Sequence, residues 1–456
     1  MNLSLQDPFA VAKEYPENLT QTLQCGYSVF IQFNHKGDYL ASGLSDGSVI
    51  IYDLMVNGSV IAHLEKGGHT RPISSISWSR CSRYLLTAGQ DWKCKLWDLN
   101  RVNGADKGHE TDTAVIREIR FDGPIWQASL HPRNHMVFTA ALYEDSPVYV
   151  DMTDAKNILV RILQTTPRPY QIAREEQGSN HSTDEIEGEE EKRKRQKQDR
   201  QLTLVTSFIP GDGAYILCGT SKGWLNIISS GTLETVHSLK FTSANIKGLN
   251  ISPNGRKLAI NSSDRIIRQV DLPDLHNVDD PGQWEFEVEH KYQDLVNRLQ
   301  WNLVAFNHNA EFLVASTFGQ SSQDLYVWET SLGSLIKILE GSNEELLDVK
   351  WNHSKCMIGA TGIDSGAVYL WQIQFPQKWS ALAPDFVEVE ENIEYEEKED
   401  EFDVIDEDLL NKRRLEEEDI SVDILTKETV DARGFDIYQP SFIIPVDYEN
   451  SPANIL

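Results

Sequence analysis

At 456 residues and 40% hydrophobic content the chain is long enough to bury a large core, while a net charge of −28 sets it against tight, independent binding to DNA. Its five cysteines (Cys25, Cys81, Cys94, Cys218 and Cys356) are scattered and show no C-x-x-C spacing, which favours buried thiols in a reducing compartment over disulfides or zinc. The opening residues hold no basic stretch followed by an apolar one, and no apolar run approaches membrane-spanning length, so neither a signal peptide nor a transmembrane helix is expected.

Along the chain, seven apolar segments end in an aromatic or aliphatic residue followed by a polar one. The pairs are Tyr52-Asp53, Trp97-Asp98, Val150-Asp151, Ile228-Ser229, Val270-Asp271, Trp328-Glu329 and Trp371-Gln372, spaced by 45, 53, 78, 42, 58 and 43 residues. A repeat of this length and ending is the mark of a propeller blade. The expectation is an all-β, seven-bladed β-propeller over residues 1–375, then a long, largely extended acidic tail over 376–456.

Before the first blade, Leu19–Gln24 has strand alternation. The second repeat is the cleanest: Gly68-His69 opens it, Ile73–Trp78 and Tyr84–Gly89 read as strands, and Lys93–Asp98 as the third. Asp91 stands in the turn six residues before Trp97. This resembles a WD repeat, in which a His, a strand hydroxyl, the turn Asp and the Trp form a buried hydrogen-bonded set, because polar groups inside a blade must pair. The same spacing links Asp46 to Tyr52 and Asp264 to Val270, so all three aspartates read as structural rather than catalytic.

The long gap before the fourth blade holds a charged insertion, 174–201, acidic at Glu185–Glu191 and basic at Lys192–Lys197. It reads first as a charged loop, partly helical through opposite charges at helical spacing, and second as a nuclear import signal or a phosphate-touching loop. The seventh blade lacks a fourth strand, since the chain turns to Phe375-Pro376 after Trp371. An open ring would expose a strand edge, and Leu19–Gln24 is expected to supply the missing strand.

No phosphate loop, H-E-x-x-H, G-x-S-x-G or clustered His and Cys set appears, and the twelve histidines are dispersed. Catalysis by this chain is therefore not expected. The tail is different in kind. Between Asp385 and Asp408 there are fourteen acidic residues and one basic, Lys398, yet Trp379, Phe386, Ile393, Tyr395 and Phe402 recur among them. Apolar anchors in an extended acidic chain suggest folding upon binding to basic, pocketed partners.

That tail, W-S-A-x-A-P-D-F from Trp379 and E-Y-E-E-x-E-x-E-F-D up to Asp403, closely resembles the retinoblastoma-binding-protein-five family, called Swd-one in yeasts. Met1-Asn-Leu, Ser263–Arg268 and Asp294–Arg298 carry the likeness into the rest of the chain. The family comprises non-catalytic WD-repeat subunits of COMPASS and mixed-lineage-leukaemia type complexes, which methylate lysine four of histone H3. The resemblance implies a nuclear scaffold and activator without a cofactor of its own, S-adenosylmethionine being used by the partner SET subunit. Partners implied are the SET-domain subunit, a SPRY-domain subunit, a second WD-repeat subunit and the nucleosome, with no membrane.

By resemblance, Trp379, Ala381, Ala383, Pro384, Asp385, Phe386 and Glu390 stabilise the active SET domain. Glu394, Tyr395, Glu396, Glu397, Phe402 and Asp403 bind the SPRY subunit. Ile420, Val422 and Ile424 dock on the second WD subunit, in a motif one residue shorter than the family pattern. Lys247, Arg256, Arg268 and Arg298 fall where the family touches the nucleosome, the alternative for Arg268 and Arg298 being a surface or inter-blade ion pair. A rival reading is a generic adaptor such as a ubiquitin-ligase substrate receptor, which predicts a flanking helical docking module. Another is a propeller enzyme or a tRNA methyltransferase partner subunit.

Overall fold

The computed structural model describes residues 15–101, 114–143, 145–154, 157–163, 202–273, 275, 284–294, 297–319, 324–342, 344–352, 354–373 and 407–418. The first strand, β1 (Asn18–Leu23), belongs to the last blade. Blade one is β2 (Ser28–Phe33), β3 (Tyr39–Leu44), β4 (Val49–Asp53) and β5 (Ser59–Leu64). Blade two is β6 (Ile73–Trp78), β7 (Tyr84–Gly89), β8 (Lys93–Asp98) and β9 (Val115–Arg120). Blade three is β10 (Ile125–Leu130), β11 (Val137–Leu142), β12 (Val148–Asp151) and β13 (Leu159–Ile162). Blade four is β14 (Thr203–Phe208), β15 (Tyr215–Thr220), β16 (Trp224–Ser229) and β17 (Thr235–Lys240). Blade five is β18 (Ile246–Ile251), β19 (Lys257–Ser262), β20 (Ile267–Asp271) and β21 (Glu287–Tyr292). Blade six is β22 (Gln300–Phe306), β23 (Phe312–Phe318), β24 (Leu325–Glu329) and β25 (Leu335–Leu339). Blade seven is β26 (Leu346–Trp351), β27 (Met357–Gly362) and β28 (Val368–Gln372), with β1 as its outer strand.

Each blade is a four-stranded antiparallel sheet, and every one of the seven sequence pairs closes a third strand. The second and third strands are covered on both faces by neighbouring blades. They therefore read as near-continuous apolar runs, such as Tyr215–Cys218 and Val49–Tyr52, and are buried almost throughout. Adjacent inner strands touch in an unbroken cycle from β2 round to β26 and back to β2, so the seven sheets form a closed ring.

Closure has two parts. At the rim, β1 pairs antiparallel with β28, Leu19 opposite Trp371 and Leu23 opposite Val368. Leu23 is buried among Met357, Val368, Leu370 and the blade-one residues Ile31 and Leu40. At the hub, the Asp348 carboxylate on β26 accepts the Ile31 N–H of β2 at 2.9 Å. Burial holds the Asp348 carboxyl above its ordinary range against the opposing pull of Lys350, whose Nζ lies 3.4 Å away. Equivalent bonds sew other blades together. Ser75 and Ser77 accept the N–H groups of Ala128 and Leu130, and Asn250 accepts that of Phe306.

All seven inner strands carry a bulge near their first residues. A bulge re-aims one side chain out of the pleat. Here it places Trp126, Lys247 and their counterparts at one end of the ring, called the upper face below. The turns between second and third strands open on the same face.

The chain divides into two compact units, of which the propeller is one. Within the other, helix α1 spans Glu407–Glu418. Its run of Leu, Lys, Arg and Glu has no Gly, Pro or β-branched residue, its first turn is acidic, and Asp408 and Lys412 stand four apart. The tail was expected to be largely extended, so this helix is an addition to the sequence reading. Leu409 and Leu415 on it are exposed.

Candidate functional site

Blade two contains the hydrogen-bonded set expected of its sequence. His69 Nδ1 lies 2.9 Å from the Asp91 carboxylate and Nε2 lies 2.8 Å from Thr87 Oγ1, which accepts the Trp97 indole N–H at 2.9 Å. The carboxylate can only accept, so Nδ1 carries the proton and Nε2 accepts from the Thr87 hydroxyl. Burial pushes the Asp91 carboxyl up, but the His69 hydrogen bond and field outweigh it and leave it below the usual range. The terminal acid is structural too. Asp98 is buried and clamped by Arg83 through two bonds of 2.8 and 2.7 Å.

Other blades satisfy the same turn differently. In blade five the Asp264 carboxylate accepts from the Arg268 guanidinium at 2.5 Å and from Thr242 Oγ1 at 3.0 Å, and Arg268 also donates to Ser262 Oγ at 2.8 Å. In blade seven the acid comes from the opposite side. Glu344 is buried and accepts the Asp364 and Ser365 N–H groups at 2.6 and 2.7 Å, and the Tyr369 hydroxyl at 2.5 Å. The turn aspartates are thus framework.

Of the cations assigned by resemblance to the nucleosome, Arg268 is 8% exposed and held in an ion pair with Asp264 inside blade five, closer to the ion-pair alternative than to a surface contact. A strand residue four past the turn carboxylate points into the blade. Lys95, in the same relation to Asp91, likewise turns inward to the Gly67 and Gly68 carbonyls. Lys247 is half-buried over the exposed Phe318 ring, 5.7 Å from its centroid, and desolvation lowers its ammonium pKa. Arg298 is exposed, with φ 51°, just before β22 on the upper face. Arg256 is exposed in the turn before β19, at the opposite end of β18 from Lys247. The structure therefore brings Lys247 and Arg298 to one face and leaves Arg256 on the other.

The residues assigned by resemblance to the SET domain, Trp379, Ala381, Ala383, Pro384, Asp385, Phe386 and Glu390, lie outside the described residues. So do those assigned by resemblance to the SPRY subunit, Glu394, Tyr395, Glu396, Glu397, Phe402 and Asp403, and to the second WD subunit, Ile420, Val422 and Ile424, and the insertion 174–201.

One surface was missed at the sequence level. On the upper face of blade two, Thr70, Arg71, Gln90, Asp91, Trp92 and Arg120 line a shallow groove of about 310 Å³. Trp92 sits in the left-handed region at φ 68° and is 42% exposed. The equivalent turn residue, five before the blade-ending aromatic or aliphatic residue, is Gly47, Gly223 or Gly366 in three other blades, all with positive φ, and Arg265 in a fourth. A non-glycine residue there costs about 1–2 kcal/mol. The neighbouring blade continues the surface. The Phe121 N–H bonds the Trp92 carbonyl at 2.8 Å, and five residues on, Trp126 is 52% exposed and stacked on exposed Tyr143 with ring centroids 6.2 Å apart. The signal was in the sequence: Asp91-Trp92 where Asp46-Gly47 shows what the turn prefers.

Among the described residues no three His, Cys, Asp or Glu side chains are grouped as a metal site. The Cys94 and Cys218 thiols are fully buried and pushed up, Cys218 to about 12, which keeps them protonated and inert.

The WD domain, G-beta repeat, family model matches residues 18–53 and 58–98. The first match runs from β1 to β4, crossing from the outer strand of blade seven into blade one. Across its length the chain is 42% identical to the COMPASS component SWD1 of Saccharomyces cerevisiae, covering 98% of each chain. It is 44% identical to the Set1 complex component swd1 of Schizosaccharomyces pombe, over 89% of this chain and 91% of the relative. The retinoblastoma-binding protein 5 homolog of Drosophila melanogaster is 32% identical over 95% of this chain and 78% of its own. Among solved structures, the β-propeller domain of Myceliophteria thermophila Cps50 (Swd1) is 39% identical. It superposes with a TM-score of 0.67, covering 79% of this chain and 100% of that one.

Proposed function

Because this chain belongs to the family of Swd1 and retinoblastoma-binding protein 5, we propose that it is a non-catalytic subunit of a nuclear Set1-type (COMPASS) histone H3 lysine-four methyltransferase complex. The observation that carries the reading is similarity to a COMPASS component over 98% of both chains, so that tail as well as propeller falls within the match.

Within such a complex the propeller serves as a rigid base and the tail as a series of docking motifs. Trp379 to Glu390 acts as a strap on the SET domain. Pro384 confines the local chain to extended conformations, and Phe386 offers the largest apolar contact beside it. A segment that binds only the closed SET domain shifts its population by no more than its differential affinity. Tyr395 and Phe402 anchor the SPRY subunit while the surrounding glutamates steer its approach. Ile420, Val422 and Ile424 dock on the second WD subunit. Linking weak motifs on one chain raises their effective concentration. S-adenosylmethionine is bound by the SET subunit, and this chain carries no cofactor.

The test is a reconstitution. Tagged chain should co-purify with SET- and SPRY-domain subunits. Phe386→Ala should slow methyl transfer, by about tenfold, in complexes that still assemble and whose propeller melts at an unchanged temperature. Assembly without any loss of turnover would overturn the strap, and failure to co-purify either subunit would overturn the scaffold.

A further inference from the structure

We infer that the upper face of blades two and three is a docking site for an extended acidic peptide with an apolar side chain, held by Arg71 and Arg120 and by the indoles of Trp92 and Trp126. The assignment is independent of the tail and of the complex proposed above.

Three observations converge. The first is that Trp92 stands where the turn geometry favours glycine. Its φ of 68° matches those of Gly47 at 93°, Gly223 at 77° and Gly366 at 64°. Stability alone is better served by glycine, so the exposed indole has another use. The second is charge. Among the described residues no carboxylate lies within ion-pair distance of Arg71 or Arg120, and both are exposed beside Trp92. The neighbouring cations differ: Lys93 is held by Glu118 at 2.5 Å, and Lys95 is spent on the Gly67 and Gly68 carbonyls. Asp91 is likewise occupied by His69. Among the described residues the groove therefore offers two guanidiniums without a carboxylate partner and no free acid on its own lining.

The third observation is spacing. Phe121 N–H is fixed to the Trp92 carbonyl, and Trp126 follows five residues later. Five residues of chain reach at most about 18 Å and the hydrogen-bonded step to Trp92 adds about 5 Å, so the two indole-bearing backbones are at most about 23 Å apart. A peptide of six or seven extended residues spans that distance. Its carboxylates meet the guanidiniums bidentately and its apolar side chain lies on an indole face. A nucleic-acid strand fits less well. Its evenly spaced phosphates would run on past exposed Asp122, two residues from Arg120, whereas a short peptide can place its few carboxylates on the guanidiniums alone.

The probe is a fluorescein-labelled peptide, Glu-Asp-Phe-Glu-Asp-Leu, titrated with the full chain and followed by anisotropy. Controls are Lys-Arg-Phe-Lys-Arg-Leu and a single-stranded oligothymidine. We expect saturable binding of the acidic peptide that weakens with salt. Trp92→Gly should weaken it about tenfold or more, and so should Arg71→Gln with Arg120→Gln. Melting temperature is the second readout: Trp92→Gly should melt no lower than the parent, because glycine takes that φ freely. No acidic-peptide binding below about 1 mM would overturn the proposal. Equal binding by Trp92→Gly, equal binding of the basic peptide, or tighter Trp92-dependent binding of the oligonucleotide would do the same. A lowered melt in Trp92→Gly would assign the indole to the framework instead.

Discussion

At the scale of the residue, the blades answer one problem with different side chains. A tight turn buries polar backbone, and something must satisfy it. Blade two uses the His69, Asp91, Thr87 and Trp97 set, blade five joins Asp264 to Arg268, and blade seven brings in Glu344. In each the carboxyl is held below its ordinary range although burial alone would raise it, because donors surround it. A depressed carboxyl contributes stability that is present above its unfolded value and lost as pH falls through the folded one. The unfolded values here are 3.8 for Asp91 and Asp264 and 4.5 for Glu344. Asp348 works oppositely: its carboxyl is raised, so it favours the fold at low pH and loses that contribution as pH rises through its folded value. Asp91→Asn should thus cost about 1–3 kcal/mol at neutral pH and less below about pH 4, flattening the acid limb of the stability profile. Denaturant melts from pH 3 to 7 check this, and a cost independent of pH would remove Asp91 from the ionised set. The His, Thr, Asp and Trp of blade two were legible because their spacing is regular. Which of its two alternative roles Arg268 takes was not legible, because a sequence shows that a cation lies near a turn but not which way its strand turns it.

At the scale of the element, the N-terminal strand governs closure. Its alternation was legible at Leu19–Gln24, and its need was legible in the missing outer strand after Trp371. The observed β1 starts at Asn18 and ends at Leu23. Removing residues 1–24 strips the outer strand from β28, unburies Leu23 from its cluster with Val368 and Leu370, and leaves a paired edge open. Leu23 alone accounts for about 1.5–3 kcal/mol of burial. The deletion should lower the melting temperature by more than about 5 °C, and the shorter variant Leu23→Ala should lower it by less. An unchanged melt would mean that the hub contact between Asp348 and Ile31 suffices to close the ring. The bulges in the inner strands were not legible, since nothing in a strand's alternation distinguishes an extra residue from a slipped one. Helix α1 was passed over for another reason: in a segment so rich in charge, composition reads as solvated chain, while the helix preference resides in the local order of Leu, Lys and Glu.

At the scale of the whole molecule, the negative charge is unevenly placed, and that decides how the upper face meets an anionic surface. The run from Asp385 to Asp408 holds fourteen acids against one base, so the propeller itself is far less acidic than the sum of −28 suggests. Of the cations matched to nucleosome contacts, Arg298 is the one that is both exposed on the upper face and without a carboxylate partner among the described residues. Arg256 is exposed at the other end of its blade, so one flat anionic surface does not meet both of them directly. Phosphate contacts position a protein without reading sequence, and each adds to the salt dependence of binding. In the proposed complex, Arg298→Glu should therefore weaken methylation of nucleosomes by several-fold and leave methylation of a free histone-tail peptide unchanged, with the nucleosomal effect shrinking as salt is raised. Arg268→Met is the matched control: it removes a cation of the same neighbourhood from inside blade five, so it should lower the melting temperature and affect both substrates alike. Equal losses on both substrates for Arg298→Glu would place that arginine in the assembly of the complex rather than on chromatin.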